Sequence, residues 1–107
     1  MYATMRRYRM TGGSMDDLLH EIDTGFAETI QEMDGFVGYE CIDCGGGMLI
    51  TISTFRDRES AEASTDAATR WISTTLGDRY EFERLDAMTG EVAVSRAREA
   101  MLEPAHR

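Results

Sequence analysis

FVGYECIDCGGGMLITISTF, residues 36–55, is the stretch that decides the fold. It reads as two strands, Phe36 to Asp43 and Met48 to Phe55, on either side of Cys44-Gly45-Gly46-Gly47. Consecutive glycines tolerate positive φ, so the strands are expected to pair as an antiparallel hairpin. Along Met48-Leu49-Ile50-Thr51-Ile52 apolar character hardly alternates, the pattern of a strand covered on both faces. Helices can cover only one face of the sheet in a chain of 107 residues, so a second subunit is expected on the other.

Upstream, Tyr2 to Met10 is rich in β-formers and ends at the turn signal Thr11-Gly12-Gly13. Ser14 then offers an N-cap, with Asp16 and Asp17 placed to suit the first turn of a helix. Met15, Leu18, Leu19, Ile22, Phe26, Ile30 and Met33 recur at helical spacing, and Gly35 stops the run. Gly25 inside that helix costs up to about 1 kcal/mol against Ala, which points to close packing or a slight kink there.

Downstream, Asp57 caps a second helix running to about Leu76. Its inward stripe is Ala61, Ser64, Ala68, Ile72 and Leu76, with Trp71 on the flank. These side chains are mostly small and permit close approach to a sheet. Gly77 to Asp86 reads as a charged connection. Gly90 to Ala97 reads as the last strand, Val92 and Val94 alternating with Glu91 and Ala93. The order β-α-β-β-α-β describes a ferredoxin-like α+β sandwich over residues 1–97, followed by a polar C-terminal tail at 98–107.

Composition narrows the function. Apolar residues make up 42% and charged residues 29%, enough to build a core. A formal net charge of −9 disfavours nucleic acid and anionic membrane surfaces. Arg6, Arg7 and Arg9 near the start accompany no apolar signal-peptide core, and no stretch nears the ~20 apolar residues of a membrane span. A cytoplasmic protein is expected. All eleven basic residues are arginine, and the chain has neither lysine nor asparagine. Schiff-base chemistry and mechanisms that need an asparagine amide are thereby excluded.

Cys41 and Cys44 form a lone C-x-x-C. With only His20 and His106 to add, the chain is poorly supplied for a structural zinc site. The pair sits at a strand end rather than a helix N-terminus, so ordinary reduced thiols are expected and no metal site. His20 falls roughly 130° from the centre of its helix's apolar stripe and should face solvent. Any general base is then a carboxylate or a tyrosine, unless the substrate ionises on its own. Trp71, Tyr39, Tyr8 and Phe26 either line one pocket for a planar ligand or pack as core. The strand arginines, Arg7 above all, either place a guanidinium near an anionic ligand or are solvated.

The chain resembles the antibiotic biosynthesis monooxygenase (ABM) domain family over about Tyr2 to Ala97. The likeness rests on the order and spacing of YATMRRYRM, DGFVGYE, LITISTF with its Asp57 cap, ESAEASTDAATRWI and GEVAV. The resemblance implies a dimeric α+β barrel in which two ferredoxin-like sheets close on each other as a homodimer. It also implies oxidation of phenols or hydroquinones by molecular oxygen with no flavin, metal or other cofactor. In that chemistry the ionised substrate itself passes an electron to oxygen, and the protein supplies shape, deprotonation and a dry pocket. A sister branch degrades haem with an asparagine on the first strand, a tryptophan on the second helix and a histidine soon after it. Trp71 matches the tryptophan, but the asparagine position falls on Met5, and no histidine lies between Trp71 and Leu102. Those departures argue against haem chemistry. Two readings stand: a cofactor-independent monooxygenase acting on a small aromatic phenol or hydroquinone, and a non-catalytic dimer with a small-molecule-binding, structural or regulatory role.

Overall fold

A computed structural model describes residues 1–97; the expected tail, His106 with it, lies outside the described residues. Four strands form one antiparallel sheet in the order β2-β3-β1-β4: β1 Tyr2–Gly12, β2 Phe36–Gly45, β3 Met48–Phe55 and β4 Glu81–Glu91. Helices cover one face. The first is built from α1 Met15–Glu21 and α2 Ala27–Gln31, joined by a π turn at Ile22–Phe26. The second is α3 Arg58–Trp71, which runs on into a π turn at Ile72–Leu76. The chain therefore has the ferredoxin-like α+β architecture its sequence implies.

The hairpin forms where the glycines place it. Gly46 and Gly47 carry φ of +62° and +82°, the pair of positive angles a type I′ turn demands. A Cβ on Gly47 would also collide with the Met10 carbonyl oxygen. Both helix caps act as expected: the Ser14 side chain accepts from the Asp17 N–H at 3.3 Å, and that of Asp57 from the Ser60 N–H at 2.8 Å.

The π turns have a readable cause. Leu18, Ile22, Phe26 and Ile30, all buried, recur at a strict spacing of four, as do Ser64, Ala68, Ile72 and Leu76. Four residues overshoot one α-helical turn by about 40°, so such a stripe drifts off the sheet with each repeat. A π turn takes in the surplus residue and returns the stripe to the core. Gly25 lies within the first of these turns and meets Trp71 closely; an added Cβ would stand 3.0 Å from the indole Cζ2.

Along β3, Leu49, Thr51, Ser53 and Phe55 are buried under the helices, while Met48, Ile50, Ile52 and Thr54 alternate on the outer face. The even apolar character thus resolves into a partly polar inner row and an apolar outer row. Val37, Ile42 and Met88 are also exposed, at 44%, 43% and 67%.

The last strand corrects the sequence reading. It spans Glu81–Glu91 rather than residues 90–97, and residues 92–97 hold no strand, although the Val92 N–H donates to the Met1 carbonyl at 2.9 Å. β4 is an edge strand paired only with β1, and most of its side chains are exposed. Charge at Glu81, Glu83, Arg84 and Asp86 suits an open edge and hides the apolar alternation. Among the described residues no helix is long and apolar enough to cross a membrane.

Candidate functional site

The two π turns close over the middle of the sheet. Ile22 and Phe26 come from one, Ile72 from the other, and Trp71 stands just ahead of it, with Ala68 one turn earlier. Beneath them lie Arg6, Tyr8, Leu49, Thr51 and Tyr39 from the sheet, and Phe82 closes one side from β4. Together they line a half-open void of about 20 Å³, room for one water. The void sits at a seam: Trp71 and Tyr39 pack against both apolar clusters of the core, one centred on Phe26 and Phe55, the other on Leu18 and Leu49. The rings are ordered by contact, Tyr8 stacked on Phe82 at 4.8 Å and Phe26 edge-on to Tyr39 at 5.6 Å.

Arg6 dominates the chemistry of this space. Its side chain is fully buried, yet no carboxylate pairs with it among the described residues. Nη1 donates to Ser64 Oγ at 2.9 Å and Thr65 Oγ1 at 3.2 Å, Nη2 to Ser53 Oγ at 2.5 Å, and the guanidinium carbon lies 5.9 Å from the Phe26 ring centroid. Nε is buried without a partner, as is the Thr51 hydroxyl. Burial pulls the Arg6 pKa down, the Tyr8 and Tyr39 phenols oppose that, and the cation of Arg84 adds to it. Hydroxyls and ring faces solvate a cation only partly, so the site carries uncompensated positive potential.

Tyr39 reaches the void through a bulge. The β2–β3 register slips between Phe36 and Gly38, so Phe36 and Tyr39 both turn inward although they stand an odd three positions apart. Burial, and then Cys41, pushes the Tyr39 phenol well above its usual 10, making it a hydrogen-bond donor rather than a base. Burial, with Asp43 and Cys44 adding to it, pushes the Cys41 thiol up to about 12, so it is no nucleophile at neutral pH. No carboxylate or histidine lines the void.

Of the residues singled out from sequence, Trp71, Tyr39, Tyr8 and Phe26 meet around this space. Arg7 does not. It projects from the other face of β1 and bonds Asp86 at 2.9 Å, and Arg6 takes the inward place. Neighbouring strand residues point to opposite faces, so Tyr8 inward already implied Arg6 inward and Arg7 outward. Met5 likewise lies on the opposite face of β1 from Arg6 and pairs with Ile52 and Met88. It is therefore not the first-strand residue that faces Trp71. Thr51 and Phe82 were not anticipated. His20 is exposed, as its helical angle implies.

Beyond Ile72 and Phe82, which border both spaces, an open groove of about 220 Å³ runs between the second helix and β4. Thr69, Ser73 and Arg84 complete its walls, and Arg84 Nη1 donates to Thr69 Oγ1 at 2.9 Å.

No protein-family model matches the sequence, and no curated protein matches it. Solved structures do. SnoaB, a cofactor-independent oxygenase from Streptomyces nogalater, is 9% identical and superposes with a TM-score of 0.65 over 88% of this chain and 94% of its own. A dimeric ferredoxin-like protein from an uncultured marine organism is 11% identical, with a TM-score of 0.65 over 91% and 98%. A point mutant of MhuD with two manganese protoporphyrin IX bound per active site is 11% identical, with a TM-score of 0.65 over 91% and 99%. The chain shares the fold of these proteins. At such identities the likeness establishes architecture, and the chemistry has to be argued from the side chains.

Proposed function

We propose that the protein is a cofactor-independent monooxygenase that oxidises a small aromatic phenol or hydroquinone with molecular oxygen. The observation that carries this reading is Arg6, a buried guanidinium without a counter-charge on the wall of an aromatic void. At about 4 Å and an effective dielectric of about 20, one cation favours a neighbouring anion by roughly 4 kcal/mol. That corresponds to about 3 pKa units and opposes the burial that raises the Tyr39 phenol in the same space, so a substrate phenol whose hydroxyl keeps more contact with water than that of Tyr39, or that is intrinsically more acidic, ionises near neutral pH. A phenolate is the form that gives up an electron to oxygen. Arg6 thus stands in for the missing general base by favouring the ionised substrate, while the neutral Tyr39 phenol donates a hydrogen bond and the proton leaves to water. For an activated ring methylene, one oxygen atom enters as the new carbonyl and the other departs as water with the two methylene hydrogens, so oxygen is the only oxidant required. Arg6, Tyr39, Tyr8, Trp71 and Phe26 form the proposed substrate site, and the two π turns supply its movable roof.

The working form is a homodimer through the outer sheet face, which presents Ile50, Ile52, Val37, Ile42 and Met88. A similar architecture in proteins called dimeric supports this pairing. Free cysteines at 41 and 44 suit the reducing cytoplasm as its location.

One observation favours the second reading, a non-catalytic binding or structural dimer: a void of about 20 Å³ admits no phenol until Trp71 or the π turns move. Oxygen uptake separates the two. Protein freed of metal and flavin should consume oxygen with at least one of a panel of naphthols, anthrones and hydroquinones. Binding without uptake across the panel would leave the non-catalytic reading standing.

A further inference from the structure

We infer that the substrate carries an acidic group in addition to its phenol, and that Arg84 reads it at the mouth of the site. The inference rests on the phenol-binding reading above and names the substrate class more narrowly. The groove outside Ile72 and Phe82, at about 220 Å³, adjoins the void and is large enough for a fused ring system. Arg84 lines it, on the same sheet face as Tyr8, its partner across β1–β4. Its single hydrogen bond goes to the neutral Thr69 hydroxyl, and no carboxylate pairs with it among the described residues. The nearby β4 carboxylate Asp86 is engaged with Arg7 on the opposite face.

Two guanidinium groups without counter-ions therefore bracket the Ile72–Phe82 partition, Arg6 within and Arg84 without, close enough for Arg84 to depress the Arg6 pKa. Two cations held near each other with no carboxylate paired to either, among the described residues, suit an anionic ligand. A ligand with a phenolate at one end and a carboxylate at the other satisfies both. Its rings fill the groove, the phenol end passes between Ile72 and Phe82 towards Arg6 Nε and the Thr51 hydroxyl, and the carboxylate stays outside on Arg84. A neutral phenol would leave Arg84 unused.

The test compares 6-hydroxy-2-naphthoate with 2-naphthol by quenching of Trp71, the sole tryptophan, at low salt and neutral pH. The carboxylate should bind about fivefold more tightly, the upper end for an exposed ion pair. Arg84→Gln should bring the two probes to within about twofold of each other, Arg84→Lys should restore part of the gap, and added salt should narrow it. Equal affinities for the parent, or a preference that survives Arg84→Gln, would overturn the assignment of Arg84 while leaving phenol binding intact. Failure of both probes to bind would overturn this inference and the phenol-binding reading together.

Discussion

Replacing Arg6 with methionine should remove function without removing stability. A buried charge lacking a partner opposes folding by several kcal/mol, and exchanging buried ionic groups for apolar ones of similar volume is often neutral or stabilising by about 1–4 kcal/mol. The local losses are small. Ser64 Oγ keeps its bond to the Ala61 carbonyl at 2.6 Å, Thr65 is half-exposed and can turn to water, and only Ser53 Oγ loses its one buried partner, worth about 1 kcal/mol. The balance runs from neutral to about 3 kcal/mol more stable. For a chain of this size each kcal/mol moves Tm by about 4 °C. Urea and thermal unfolding at one fixed protein concentration would measure it, the concentration being held because a dimer's stability depends on it. A loss of more than about 2 kcal/mol would refute the reasoning, since Arg6 would then be a structural residue that the fold needs.

Trp71→Phe should keep the fold and weaken phenol binding in a fluorescence-independent assay such as calorimetry. Trp71→Ala should lose about 2–3 kcal/mol, below the ~3–5 kcal/mol of a fully buried aromatic because the ring is only half-buried. Gly25→Ala should change stability little, as better helix propensity offsets a tight Cβ contact, but should shift Trp71 emission by moving the indole a few tenths of an ångström. The Tyr80 hydroxyl donates to Glu21 Oε2 at 2.5 Å and Arg79 to Oε1 at 2.6 Å, joining the first helix to the segment before β4. The Tyr80 bond, and then Arg79, lowers the Glu21 pKa from 4.5, so its contribution is full above 4.5 and fades as pH falls further. The same bond raises Tyr80 from 10 to about 12, so that contribution is lost as pH rises through this range. Glu21→Gln should flatten both limbs of the stability–pH curve, and two unaltered limbs would dismiss the contact. On the outer sheet face, Ile52→Glu should convert the dimer to a monomer by light scattering at micromolar concentration, and a parent that is already monomeric would dismiss the interface.

Most of the architecture was legible because its signals are local. The Gly46-Gly47 turn, the Ser14 and Asp57 caps and the two helical stripes each follow from a few neighbouring residues. β4 was not legible, because an edge strand bearing Glu83, Arg84 and Asp86 has little apolar alternation, while Val92 and Val94 have it and hold no strand. The π turns left a trace in the strict fourfold spacing of both stripes. The site was half legible. Its aromatic residues stand out by type, but which of Arg6 and Arg7 faces inward depends on strand parity, and β1 alternates threonine, arginine and tyrosine with alanine, methionine and arginine, so neither row is plainly apolar. Tyr39 turns inward only through a bulge set by pairing with β3, a non-local cause that Phe36-Val37-Gly38-Tyr39 does not spell out.

The most direct measurement is the ionisation state of a bound phenol. In an anaerobic difference spectrum at neutral pH, 2-naphthol bound to the parent protein should show the naphtholate band, and Arg6→Met should either fail to bind it or hold it neutral. A bound naphthol that stays un-ionised in the parent, or that ionises equally in Arg6→Met, would contradict the role given to the buried arginine.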